Sequence, residues 1–252
     1  MHRLANKVAL VTGSSSGIGA AIVEKLVDEG LKVVGLARRV HRIKELAEKC
    51  KEKRGKLYAV KTDMTREEEI LHAFEWTAKN VGPISILINN AGIGRKTTII
   101  NGDTDDWKKV LDTNVLGLTI ASREAIKSMQ SNNISGHIVN LNSILGHQVH
   151  PLPYQNVYPA SKFAVTALTE TLRQELVATG SAIKVSSISP GHVNTEIFQA
   201  AGLTKDEDLK ALIENSPSLR AEDVADVVLF VLKTPPHVQV SEVIVKPVGE
   251  NI

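Results

Sequence analysis

Residues 10–30 read LVTGSSSGIGAAIVEKLVDEG: an apolar run, three glycines and then an amphipathic run. Gly13, Gly17 and Gly19 let the backbone turn sharply from a strand into a helix, and such a turn has two uses. It can hold a phosphate against the unpaired N–H groups and positive dipole end of the helix, or it can only turn a corner, with Gly19 chosen for packing. The spacing departs from G-x-G-x-x-G, so the rest of the chain has to decide. Outward from this turn, KVALVT, KVVGLA, KLYAVK, ISILIN, GHIVNLN, AIKVSSI and VSEVIV are short β-branched runs. Helical patterns cover 17–29, 41–53, 66–79, 104–131 and 158–179. Strands filled with Val and Ile, without clean alternation, are buried on both faces, and their alternation with helices makes the sheet parallel. Right-handed crossovers then put helices on both sides. The expected fold is α/β, a single-domain, Rossmann-like doubly wound parallel sheet over 1–252, with no repeat or linker to mark a second domain. The least regular stretches, 93–103, 144–157 and 192–219, each follow the carboxyl end of a strand, where open sheets bind ligands.

The 252 residues are 42% hydrophobic, enough for one large core. Lys and Arg number 30 against 28 Asp and Glu, leaving +2, which gives no electrostatic reason to expect a nucleic acid or a membrane surface as partner. A small molecule is expected instead. Cys50 is the only cysteine, so an internal disulfide is excluded and a cysteine-based metal site lacks ligands. His137, His147, His150 and His192 fall into no H-E-x-x-H or comparable set, and no catalytic metal is expected. No apolar run approaches the roughly 20 residues that span a bilayer, and the first apolar stretch is too short for a signal-peptide core. A cytoplasmic location is expected.

The second strand ends Leu36-Ala37-Arg38-Arg39, where an NAD-binding sheet would carry a carboxylate for the ribose 2′-hydroxyl. Two guanidiniums there favour a 2′-phosphate, hence NADP(H); the other reading is a solvated basic patch continuing to Arg42. Tyr158 and Lys162 are four apart on one helix, so their side chains share a face, and Pro159 is tolerated in the first turn. A free phenol is a weak base at neutral pH, and a neighbouring ammonium favours its phenolate.

TGSSSGIG, NNAG at 89–92, Asn114, Ser143, YPASK at 158–162 and SPGHVNT at 189–195 occur in an order that resembles the short-chain dehydrogenase/reductase family across almost the whole chain. Y-x-x-x-K alone arises often by chance; the joint order carries the signal. The resemblance implies cofactor binding by Gly13, Ser15, Ser16, Gly17, Ile18, Gly19, Arg38 and Arg39, with Asp63 beside the adenine. It places Asn90, Ala91 and Gly92 under the adenosine ribose and Pro190, Gly191, Val193 and Thr195 beside the nicotinamide. It gives Tyr158 the acid/base role, Lys162 the nicotinamide ribose, Ser143 the substrate oxygen, and Asn114 support of a water path to the lysine. Blander roles stay open: Asp63 and Thr195 as helix caps, Asn90 as a turn residue, Ser143 as a loop cap, Asn114 as an ordinary helix polar residue, Tyr158 as a packed aromatic.

VVGLARR, GHIVNLNSILGH, FAVTALTETLRQEL and SEVIVKP are similar to an animal subgroup of that family that includes insect farnesol dehydrogenases and vertebrate hydroxysteroid reductases. Leu145, Leu152, Ile197, Phe198 and Leu203 offer an apolar pocket wall, which fits a lipophilic alcohol or carbonyl. A broad carbonyl reductase and a non-catalytic nucleotide-binding protein are the alternatives. The resemblance also implies a homo-dimer or homo-tetramer through the helices at 104–131 and 158–179.

Overall fold

The computed structural model describes residues 4–250. Seven parallel strands form one sheet in the order β3-β2-β1-β4-β5-β6-β7. They are β1 (Val8–Thr12), β2 (Lys32–Ala37), β3 (Lys56–Lys61), β4 (Ile84–Asn89), β5 (His137–Leu141), β6 (Lys184–Pro190) and β7 (Glu242–Val245). All seven overlap the runs read from the sequence, with β6 running two residues past AIKVSSI to Pro190 and β7 starting two residues into VSEVIV. The helices are α1 (Gly17–Asp28), α2 (Val40–Lys49), α3 (Glu67–Asn80), α4 (Thr104–Leu111), α5 (Leu118–Ser131), α6 (Tyr158–Ala178), α7 (Ile197–Ala200), α8 (Glu207–Asn215) and α9 (Ala221–Lys233).

Successive strand residues point to opposite faces, so the inner strands feed two cores. Ala9 and Val11 of β1, with Ile86 and Ile88 of β4, pack under Ile22, Leu26, Ile43, Val228 and Val231 of α1, α2 and α9. Val8, Leu10, Val34, Leu36 and Leu87 pack on the other face beneath Ile70, Phe74, Ala121, Ala125 and Met129 of α3 and α5. Each fully buried Leu or Ile contributes about 2 kcal/mol by leaving water.

Three expectations shift. The second helix stops at Lys49 instead of reaching 53. The helix over 104–131 is broken by a wide π turn at Asp112–Gly117. The segment 192–219 is not irregular throughout, because it holds α7 and α8. Strand order reverses between β1 and β4, whose carboxyl ends therefore flank the crevice where an open sheet receives a ligand.

Candidate active site

The turn after β1 is braced from β4. Asn90 Nδ2 donates to the carbonyls of Thr12 (3.0 Å) and Gly13 (3.1 Å). Thr12 Oγ1 accepts from the backbone N–H groups of Asn90 (3.0 Å) and Ala91 (2.9 Å). Gly13 adopts φ +67°, and a Cβ there would stand 2.8 Å from the Ala91 Cα. At Gly19 a Cβ would run into the Gly13 carbonyl and the Asn90 amide. The packing role of Gly19 and the cradle are therefore one device: close approach of α1 holds the loop open-faced. Ser16, the N-cap of α1, makes no side-chain bond to the helix, so its hydroxyl does not compete for the leading N–H groups. That donor set fits a pyrophosphate. Asn89 faces the other way, donating to Ser122 Oγ and Asn140 Oδ1, both at 2.9 Å, inside the core.

At the end of β2, Arg39 Nη2 donates to Ser16 Oγ (2.7 Å) and Ser15 Oγ (3.3 Å). Its Nη1 donates to Glu196 Oε2 (2.9 Å), and Arg42 Nη1 donates to both oxygens of the same carboxylate (2.7 and 2.9 Å). Two guanidiniums thus already hold an anion beside the glycine turn. Arg38 is exposed next to them. Asp63 Oδ1 accepts from Thr65 N–H (3.0 Å) and Thr65 Oγ1 (2.8 Å), an Asx turn; Arg66, not Asp63, is the N-cap of α3.

Beyond β5, Ser143 caps a short 3-10 turn, Ile144–Gly146, accepting from Leu145 N–H at 3.1 Å. Ser143 also acts on the side chain of Tyr158, the first residue of α6. Burial pushes the Tyr158 phenol up to about 12, with Ser143 pulling the other way. Lys162 lies one turn on, its Nζ 5.8 Å from the Tyr158 ring centre and donating to the Leu141 carbonyl at 2.9 Å. Burial lowers its amine to about 8. Asn114 sits in the π turn, a distortion common at functional positions. Its Oδ1 accepts from Ile93 N–H (2.9 Å), and its Nδ2 donates to the Ile93 carbonyl (3.1 Å) and Ser161 Oγ (3.1 Å). Ser161 in turn donates to the Tyr158 carbonyl at 2.7 Å, so Asn114 is tied to the first turn of α6. A Cβ on Gly92 would stand 3.7 Å from both Asn114 Oδ1 and Lys162 Nζ, which places NNAG, Asn114 and Lys162 around one point.

The β6 end closes the site. Gly191 N–H donates to the Val245 carbonyl (2.8 Å), and Val193 bridges to Leu219. Pro190 pairs with Val245 across from β7. Thr195 rests on the glycine turn, its Cγ2 3.1 Å from where a Gly17 side chain would start, and it caps no helix: Glu196 stands at the N-cap position of α7. The four histidines have their own partners. His147 bonds Ser189 (2.9 Å), His150 bonds Gln148 (2.9 Å), His192 bonds the Pro217 carbonyl (3.1 Å), and His137 bonds Ser186 (2.8 Å). Burial, aided by Lys184 and Lys7, holds the His137 ring neutral, down to about 3.

Thr12, Ser161 and Glu196 were not singled out by sequence reading. Thr12 and Ser161 lie inside quoted motifs, TGSSSGIG and YPASK, whereas Glu196 gave no signal because Arg39 and Arg42 are 157 and 154 residues away.

A strand-to-helix glycine cradle at the sheet's switch point, with a tyrosine, a buried lysine and a serine meeting one strand further on, defines a dinucleotide-linked oxidoreductase. The chain belongs to the short-chain dehydrogenase family: the profile described as short chain dehydrogenase matches residues 7–206. It is 49% identical to a farnesol dehydrogenase of Aedes aegypti, over 100% of both chains. It is 45% identical to dehydrogenase/reductase SDR family member 11 of Mus musculus, over 98% of this chain and 96% of that one. A closed form of serine dehydrogenase complexed with NADP+ superposes with a TM-score of 0.85 at 30% identity, covering 94% of this chain and 93% of the other. Other solved chains of this fold are complexed with NAD or NADP, so the fold itself does not choose between them.

Proposed function

We propose that the chain interconverts a lipophilic alcohol, farnesol-like or a hydroxysteroid, and its carbonyl, using NADP(H) and Tyr158 as the acid/base. The observation that carries this is the meeting of Tyr158 with Ser143 and with the buried Lys162 at the carboxyl edge of the sheet. Ser143 and Tyr158 hold the substrate oxygen between them; in oxidation the hydroxyl proton passes to Tyr158 Oη, and in reduction Tyr158 returns it to the carbonyl oxygen. Lys162, when charged, stabilises the phenolate and donates to the nicotinamide ribose. Bound NADP+ supplies the acceptor for the hydride released from the carbinol carbon. The pyrophosphate falls to the turn of Gly13, Ser15, Ser16, Gly17, Ile18 and Gly19, the 2′-phosphate to Arg38 and Arg39, the adenine to Asp63, and the ribose to Asn90, Ala91 and Gly92. Pro190, Gly191, Val193 and Thr195 take the nicotinamide side.

The half-buried Leu145, Ile197, Phe198 and Leu203 support the lipophilic substrate, as does the name of the Aedes aegypti relative. Among the described residues no helix is long and apolar enough to cross a membrane. A cytoplasmic location is part of the proposal. Leu111, Leu116 and Phe163 are more than two-fifths exposed on α4, the π turn and α6, which supports a homo-dimer or homo-tetramer through those helices.

The test is to mix the protein with NADP+ or NAD+ and farnesol, geraniol and steroid alcohols, following reduced nicotinamide, then to run carbonyls with NADPH. Turnover with NADP+ on one lipophilic alcohol is expected, and Arg38→Ala with Arg39→Ala should erase the NADP over NAD preference. Tight cofactor binding without turnover in either direction would favour a non-catalytic nucleotide-binding protein.

A further inference from the structure

The carboxylate held by Arg39 and Arg42 is not a neighbour in sequence but comes from the loop after β6, which also lays Thr195 on Gly17. One carboxylate facing two guanidiniums leaves a charge excess that a single acid does not neutralise. A phosphate monoester, with up to two negative charges and three acceptor oxygens, satisfies the same N–H groups better. The two anions cannot share the fork, because like charges at that distance repel. Arg39 is separately anchored through Ser15 and Ser16, so its guanidinium keeps its place when Glu196 leaves. Both ion pairs are about two-fifths exposed, at 42%/42% and 38%/42%, which makes them weak enough to exchange. Partial burial of Glu196 opposes its ionisation, but the bonds from Arg42 and Arg39 prevail and hold it below the usual carboxylate range.

We infer that Glu196 is a resident surrogate for the 2′-phosphate of NADP(H), occupying the Arg39–Arg42 fork until a 2′-phosphorylated adenosine displaces it. Glu196 thereby sets how strongly the chain selects the 2′-phosphate, and its displacement releases the loop between β6 and α7. This inference rests on the NADP(H) reading above. Arg42 becomes a ligand of that phosphate together with Arg39.

The test is calorimetric titration of adenosine 2′,5′-bisphosphate and of 5′-AMP into the parent chain, Glu196→Gln and Glu196→Asp. Removing the competing charge should tighten the bisphosphate about tenfold in Glu196→Gln while 5′-AMP changes less than about twofold. Glu196→Asp, whose shorter arm cannot span both guanidiniums, should move the same way, and it covers the case in which the amide variant folds poorly. In the parent chain, the bisphosphate but not 5′-AMP should speed amide hydrogen exchange across residues 195–200. If the bisphosphate is preferred over 5′-AMP yet binds parent and variants equally, the surrogate is overturned and the NADP(H) reading stands. If no form prefers the bisphosphate, both fall.

Discussion

Replacing Tyr158 with Phe removes one oxygen and keeps the ring that packs the start of α6. Burial pushes the phenol up to about 12, far above neutral pH, so the protonated phenol is the resting form at pH 7. The neighbouring charges of the working complex, Lys162 among them, must therefore lower that value by several pH units for oxidation to proceed at neutral pH. Two consequences follow for kcat. Alcohol oxidation draws on phenolate, so log kcat should rise with pH at a slope near one until the working pKa is reached. Carbonyl reduction draws on the phenol, so it should stay flat over that range and fall above it. Tyr158→Phe should lose about 10²- to 10⁴-fold in kcat, about 3–5 kcal/mol of barrier, in both directions. Its affinity for NADPH should stay within about threefold, because Lys162 and the glycine cradle are untouched. The assay is initial-rate kinetics from pH 6 to 10 with fluorescence titration of NADPH. A variant within tenfold of the parent, or one that keeps the same slope of log kcat on pH, would refute the assignment.

Gly19→Ala drives a methyl into the Asn90 amide and the Gly13 carbonyl, and should cost about 2–4 kcal/mol through overpacking and lost bonds. A fall in Tm of roughly 10 °C is expected, and an unchanged melting curve would show that the loop is not braced this way. For Lys162 the amine is depressed from 10.5 to about 8, so between those pH values the unfolded chain binds a proton that the folded chain has lost. The stability present above 10.5 is therefore lost as pH falls to 8, on the order of 3 kcal/mol. Lys162→Met should lack that slope in urea unfolding of cofactor-free protein, gaining on the parent as pH drops; parallel curves would count against it. Asn114→Leu strips partners from both polar groups of Ile93 and from Ser161, and should cost about 2–4 kcal/mol while speeding amide exchange at Ile93. Unaltered protection at Ile93 would mean that another group holds the segment.

The sheet was legible because its central strands are buried on both faces and so read as largely apolar runs. ISILIN and KVVGLA mark their own ends, and the observed strands match them residue for residue. The glycine turn was legible as well, because positive φ and contact with Ala91 leave few residue types that fit. What stayed hidden was set by partners distant in the chain. Asn90 reads as a ribose or turn residue, and only the fold shows that it fastens β4 to the carbonyls of Thr12 and Gly13. Ser143 was read as holding the substrate oxygen or as a loop cap, and the fold shows the cap while setting the same side chain to act on Tyr158. The π turn at Asp112–Gly117 is a run of poor helix formers broken only by Leu116, which marks a weak spot in the helix but not its width, and only the fold shows Asn114 meeting Ile93 there. Helices α7 and α8 escaped notice because they are short and lack fully buried residues to give them a periodic stripe.

That wide turn has a consequence for how the chain tolerates change in length. A π turn holds one residue more than an α turn, so losing one residue within Asp112–Gly117 would close it to an ordinary turn and leave α4 and α5 in their present phase. Leu118, Ala121, Ala125 and Met129 would stay beneath the sheet, while Asn114, which the wide turn carries, would lose its place opposite Ile93. A single-codon deletion here is thus aimed at the contact between Asn114 and Ile93 more than at the core.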